Sequence, residues 1–151
     1  MANTQAMTTS FKAELLTATH NFGTAPIRGT TAADTFKAAL YLASATINAS
    51  TTAYTVSGEV SGTNYTPGGV TVTNATPPAT GGTTAYWTPS ASITYTNVTL
   101  TTPFDAVLIY NFSQSDKAVS VHTFGSQTIT AGTFALTMPS NDASNALIRL
   151  A

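Results

Sequence analysis

The sequence predicts an all-β chain: a single-domain antiparallel β-sandwich preceded by one short N-terminal helix. Three observations carry this expectation. Thr and Val are abundant, and β-branched side chains favour strands. Short apolar runs are separated by turn residues about every 8–12 positions, the spacing of a sandwich or barrel. Only one stretch, Ser10–Gly23, carries a helical period. Eight or so strands and one apparent corner favour a jelly-roll-like arrangement first and an immunoglobulin-like one second.

Residues 1–9 show no periodicity and read as an arm, flexible until it docks, ahead of the domain at 10–151. In the helix, Phe11, Leu15 and Leu16 share a face. Ser10 is the expected N-cap, and Asn21 or Gly23 the expected stop. Phe22 to Ala33 reads as loop. Phe36, Ala38, Leu40 and Leu42 then alternate with Lys37, Ala39 and Tyr41, a strand with one buried face. Ile47–Tyr54 is polar and short-range, with the character of a helical turn. Val70-Thr71-Val72 begins another strand, and Thr76–Thr84, with Pro77-Pro78 and Gly81-Gly82, is a loop or hairpin tip and the most mobile stretch expected.

Tyr86-Trp87 opens the next strand, whose pairing Pro89 limits. Ile93 and Tyr95 fall on one face but Val98 and Leu100 on the other. Such a phase flip predicts a bulge or a corner between them. Ala106–Tyr110 is continuously apolar, as a strand covered on both faces would be. Asn111–Lys117 turns the chain, and Val119, Val121 and Phe124 return it. Phe134, Leu136 and Met138 alternate again, and Ala146, Ile148 and Leu150 close the sheet.

Composition narrows the function classes. The chain has 151 residues, enough to bury roughly 68–70% of its unfolded surface without staples. Cysteine is absent, which removes disulfides, thiolate nucleophiles and Cys-based zinc sites. Only 7% of residues are charged and the net charge is −1. Lys12, Arg28, Lys37, Lys117 and Arg149 are scattered, so nucleic acid is not an expected partner. No window is apolar over the ~18 residues a membrane span needs, and Met1-Ala2-Asn3-Thr4-Gln5 lacks the apolar core of a signal peptide. The sequons at Asn48, Asn64, Asn74, Asn97 and Asn111 then read as by-products of Thr and Asn richness.

No catalytic constellation stands out. His122 shares a strand face with Ala118, Ser120 and Phe124, and His20 sits at the helix end, where a cation suits the dipole. A triad of His122 with Asp105 or Asp116 lacks a Gly-x-Ser-x-Gly elbow. The carboxylates Glu14, Asp34, Glu59, Asp105, Asp116 and Asp142 are dispersed and form no calcium loop. Trp87, Tyr86, Tyr95 and Tyr110 could stack on sugar, but core packing explains them more cheaply. The expectation is no enzyme, no cofactor and no metal.

The most distinctive stretch is Glu59–Val70. Gly62, Gly68 and Gly69 can take positive φ, Pro67 fixes its own φ, and Tyr65 should pack back on the body. Together these five residues define an ordered, sharply bent connection. It is not a phosphate cradle, because neither Gly-Lys-Ser/Thr nor Gly-x-Gly-x-x-Gly is present. Glu59 inside it should accept backbone N–H bonds rather than catalyse.

Glu59-Val60-Ser61-Gly62-Thr63-x-Tyr65-Thr66-x-Gly68-Gly69 resembles the central signature of a family of small virion proteins of tailed bacteriophages. Ser10-Phe11-Lys12-x-Glu14-Leu15-Leu16, His20-x-Phe22, Asp34-Thr35-Phe36-Lys37-x-Ala39-Leu40-Tyr41 and Thr51-Thr52-Ala53-Tyr54 are similar to its opening. Leu108-Ile109-Tyr110-Asn111, Phe124-Gly125 and Asn145-Ala146-Leu147-Ile148-Arg149 are similar to its close. The resemblance implies a capsid decoration, or cement, protein of a short-tailed phage, made in the host cytoplasm and carried on the virion surface. Its implied partner is the major capsid protein. Self-association as a dimer or trimer is expected of so weakly charged a surface. Met1, Ala2, Asn3, Thr4 and Gln5 are the expected partner contacts. The alternatives are a tail or head-fibre base protein, or a carbohydrate-binding or adhesin module on the same sandwich.

Overall fold

A computed structural model describes residues 2–16, 18–23 and 33–151. Met1, Thr17, the side chain of Leu16 and most of the expected loop Phe22–Ala33 lie outside that description. Among the described residues are eight strands and one α-helix: β1 Ala6–Met7, α1 Thr9–Leu16, β2 Phe36–Leu42, β3 Val70–Thr71, β4 Ala79–Gly81, β5 Thr84–Trp87, β6 Ile93–Asn111, β7 Lys117–Leu136 and β8 Ile148–Leu150. They form two antiparallel sheets, one ordered β1-β7-β6-β2-β3 and the other β4-β5-β8. The fold is all-β, as the alternating runs require.

The backbone of the molecule is the β6–β7 hairpin. A 3-10 turn at Phe112–Gln114, followed by Ser115 and Asp116 in the left-handed region, reverses the chain. The returning strand runs unbroken to Leu136, joining two runs that the sequence separates. At Tyr95↔Phe134 and Val98↔Gly132 the register slips, and Asn97 takes φ +52°. This is the bulge that the phase flip predicts. It re-aims the strand so that Ile93, Tyr95, Val98 and Leu100 all enter one core.

A second slip, between Ile109 and Tyr110, corrects one expectation. Tyr110 pairs with Ala118 but Ile109 with Ser120, so Val119 is the extra residue. Ala118 therefore packs with Tyr110, whereas Ser120 and His122 lie opposite Ile109 and Val107 on the other face. A period-2 count cannot see that one-residue shift.

β2 also departs from its expected pattern. Ala39 and Tyr41 are as buried as Ala38 and Leu40. One face of the central sheet meets Phe11, Trp87 and Ile148, and the other is covered by Ala45, Ile47 and Tyr54. The polar stretch Ile47–Tyr54 is thus a lid over a second core layer. In the smaller sheet, the Thr76–Thr84 stretch, expected as a loop or hairpin tip, is a hairpin, with Gly81 opposite Thr84. β5 ends at Trp87, ahead of Pro89.

The N-terminal segment is docked from Asn3 onward. Asn3 Nδ2 donates to Leu42 O and Asp105 Oδ1, and Asn3 Oδ1 accepts from Ile47 N. Ala6 and Met7 pair with Val121 and Ser120. The helix cap is Thr8 rather than Ser10: Thr8 Oγ1 accepts from Phe11 N and donates to the Ala118 carbonyl. Thr8 is wholly buried, so the strand preceding the helix decides the cap. The helix closes earlier than expected, with Ala18 at φ +53° and Thr19 N bonded to Glu14 O.

Thr8→Ala should therefore cost about 1–2 kcal/mol in chemical denaturation. A chain starting at Thr9 should melt cooperatively but at a lower temperature. An unchanged melt for both would show that docking of the segment adds nothing to stability.

Candidate functional site

The Glu59–Val70 connection runs along the edge of β2 that β6 does not occupy. Leu42 N donates to Gly58 O and Val60 N donates to Leu40 O, so irregular chain completes the sheet edge. Thr66, Pro67, Gly68 and Gly69 then form a type II turn. Gly69 N donates to Thr66 O, Pro67 takes the second position and Gly68 the third, at φ +88°. Gly69, at φ +70°, lies so close to β2 that an added Cβ would fall 1.7 Å from Ala38 O. Gly62 needs no positive φ. It is required by close approach, its Cβ position being 2.0 Å from Thr99 O.

Glu59 organises this turn. Its carboxylate is buried and accepts from three neutral donors: Tyr54 OH at 2.6 Å, Tyr65 OH at 2.7 Å and Gly68 N at 2.8 Å. Tyr65 OH in turn accepts from Leu40 N at 3.0 Å, and Tyr110 OH donates to Gly68 O at 2.8 Å. Tyr65 stacks on Tyr95, and Tyr54 on Tyr110. Burial raises the phenol pKa of Tyr54 and of Tyr65, and the Glu59 charge raises both further. Burial pushes Tyr41 up to about 12. These hydroxyls hold their protons at neutral pH and serve as fixed donors. The backbone N–H bond expected of Glu59 is present, and both carboxylate oxygens are engaged by these three donors.

A second polar cluster went unread in the sequence. Glu14 on α1 meets Lys117 Nζ at 2.6 Å and His20 Nε2 at 2.7 Å. His20 Nδ1 faces Asn111 Nδ2 at 3.1 Å, and the same amide donates to Asp34 Oδ2 at 2.8 Å. An imidazole accepting from Asn111 must donate from Nε2 to Glu14, which makes it neutral. Burial lowers the His20 pKa against the pull of Glu14. Burial would raise the Glu14 pKa, but its bonds to Lys117 and His20 hold it below the usual carboxylate value. The cluster pins helix to hairpin. Its members stand at 14, 20, 34, 111 and 117, and no spacing rule links them.

His122 and Ser120 share a hydrogen bond of 2.9 Å at a cleft of about 740 Å³ that Gln5, Asn145 and Arg149 also line. Burial lowers the imidazole pKa to about 4. Neither Asp105, held by Asn3, nor Asp116, in the hairpin turn, is paired with His122. Ser120 is 2% exposed. Trp87 borders an apolar hollow of about 450 Å³ with Phe11, Phe22 and Pro78, yet is itself 2% exposed and donates from Nε1 to Asn74. Tyr95 and Tyr110 are buried, and Tyr86 is half-buried at the rim of the same hollow. No group of three potential metal ligands occurs among the described residues.

The surface has one pronounced asymmetry. No Asp, Glu, Lys or Arg occurs between Val60 and Phe104 or between Ala118 and Asn141. Register brings these segments together, because Ile93–Phe104 pairs with Gln127–Leu136. The distal half of the ribbon is thus a neutral surface with Thr94, Thr96, Thr101, Thr128, Thr130 and Thr133 exposed. Of the expected partner contacts, Asn3 and Thr4 are bonded within the chain, Ala2, Thr4 and Gln5 are exposed, and Met1 lies outside the described residues. No family model, curated protein or solved structure matches the chain.

Glu59→Ala leaves three donors without an acceptor and should cost about 3–5 kcal/mol, Glu59→Gln less. Gly69→Val should be comparably damaging with no ligand present. Chemical denaturation checks both, and a normal melt for Gly69→Val would refute the steric account.

The folded pKa of His122 lies below its unfolded value of about 6.5, so the unfolded chain protonates first as pH falls. Its contribution is complete above about 6.5 and lost progressively toward about 4. His122→Gln should flatten the stability–pH curve in that window, leaving the part due to His20 and Glu14. An unchanged slope would show that His122 stays solvated in the fold.

Proposed function

We propose that this chain is a non-enzymatic virion protein that decorates and cements a phage capsid shell, on a jelly-roll-like sandwich. In this reading the neutral half of the β6–β7 ribbon seats across joints between major capsid protein subunits. The observation that carries it is the segregation of charge, together with the resemblance of the Glu59–Gly69 signature to small phage virion proteins. A hydroxyl-rich surface without charge pays little desolvation cost and repels no identical neighbour, which suits broad, partly wet contacts of ~1,200–2,000 Å². The rigid Glu59 hub and the docked N-terminal segment favour a scaffold, and the occupied acceptors of Glu59 and the buried Ser120 argue against catalysis. Many modest contacts on a lattice add to firm attachment through multivalency.

Shells carrying the protein should melt at a higher temperature than bare shells, with occupancy saturating at a fixed copy ratio. Because few ion pairs are available, binding should change little between low and moderate salt. Thr101→Lys with Thr128→Lys should weaken shell binding while leaving the free protein's melt unchanged. Unaltered shell melting, together with a glycan-array signal lost on Tyr86→Ala, would replace this reading with the carbohydrate-binding one. Density confined to the tail or fibre base would move the protein there.

A further inference from the structure

We infer that the outer edge of β7, over Gly132–Leu136, is a self-pairing edge through which two copies of this chain join antiparallel. β1 covers β7 only at Ser120 and Val121. Beyond them, among the described residues, β7 has β6 on one side and no strand on the other. An uncovered strand presents a row of backbone N–H and C=O groups that another strand satisfies best.

Proteins usually protect such an edge with lysine, proline, bulges or a covering element. From Thr123 to Leu136 this one has no proline and no charged residue. Register slips interrupt it between Thr123 and Gln127 and again between Ile129 and Gly132, where Ala131 takes φ +47°. Over Gly132–Leu136 β7 itself inserts no extra residue, because the slip between Gly132 and Phe134 puts its extra residue on β6, at Asn97. Beside it Phe134, Leu136 and Met138 are only partly buried, and they continue a row that includes Phe124, 5.2 Å from Phe134 between ring centroids. Backbone valence and apolar contact therefore lie side by side along one uncharged strip.

The occupant that fits is a second copy. A two-fold axis near Phe134 brings the same strand in the opposite direction, so each backbone group meets its complement and each apolar row meets itself. A strip without charge carries no like-charge penalty against its own image. The chain's own β1 leaves this edge on its N-terminal side, the side that faces this stretch, because Asn3 and Thr4 bond to Leu42, Asp105 and Ile47 instead of β7. The inference adds a partner to the neutral surface invoked above, and its test uses no capsid, so the two readings fail separately.

Sedimentation equilibrium of the full chain should show a concentration-dependent dimer. Thr133 and Ala135 are exposed. Changing both to Lys should raise the apparent dissociation constant about tenfold or more by placing like charges opposite one another, with the thermal melt retained. Changing both to Glu should do the same, and mixing the Lys and Glu proteins should restore association. Thr80→Lys with Thr83→Lys, on the β4–β5 hairpin, should leave dimerisation unchanged. A wild-type chain that stays monomeric overturns the inference, as do edge variants that dimerise normally or a mixture that fails to recover. If the Lys pair unfolds the protein, the Glu pair and Thr133→Lys alone, read the same way, decide.

Discussion

The structure depends on a buried carboxylate held by neutral donors. Taking the Glu59 charge out of water is costly, and only charge-assisted hydrogen bonds of good geometry offset that cost. Here the donors come from both layers of the core. Tyr54 belongs to the lid over Ala39 and Tyr41, and Tyr65 to the layer shared with Leu40 and Tyr95. Glu59 sits at the sheet edge between them and reaches both. The type II turn adds a third donor through Gly68 N. One acidic side chain thus couples the closure of the β2 edge, the seating of the lid and the shape of the glycine turn.

The polar cluster around His20 plays the corresponding part at the other end of β2. A neutral imidazole bridges Glu14 and Asn111, while Asp34 gathers the Asn111 amide, Asn21 N and Gln114 Nε2. Phe11 and Phe22 pack on the ring and shield these bonds from water. Desolvated hydrogen bonds of this kind strengthen one another but tolerate no missing member. Glu59, Glu14 and Asp34 are therefore engaged in holding the fold, and much of the charge the chain possesses is spent within it.

What remains on the distal half of the β6–β7 ribbon is a surface of hydroxyls and amides. The bulges of the β6–β7 ribbon turn Tyr95, Val98, Leu100 and Ile129 toward the core and leave threonines facing out. Such a surface associates through shape and backbone rather than through ion pairs, which gives contacts of low salt sensitivity and low steering. The proposed attachment to a repeating shell and the proposed pairing of an uncovered strand edge would both draw on that property.

Local chemistry made much of this legible in the sequence. The bulge near Asn97 followed from the phase of Ile93, Tyr95, Val98 and Leu100. The turn at Thr66–Gly69 followed from proline and paired glycines, the two-sided burial of Ala106–Tyr110 from an unbroken apolar run, and the Asn111–Lys117 reversal from polar punctuation. Each is decided within a few residues, where φ, side-chain period and burial are coupled. Other features were decided only by tertiary structure. Ala39 and Tyr41 became core because a distant lid covers them, Thr8 became the helix cap because it lies beneath β7, and Ala118 changed face because Val119 bulges. The partners of Glu59 and His20 stood apart in the chain and carried no mutual spacing. Long-range pairing chooses such partners, and a one-residue slip in register exchanges the two faces of a strand without altering any local pattern.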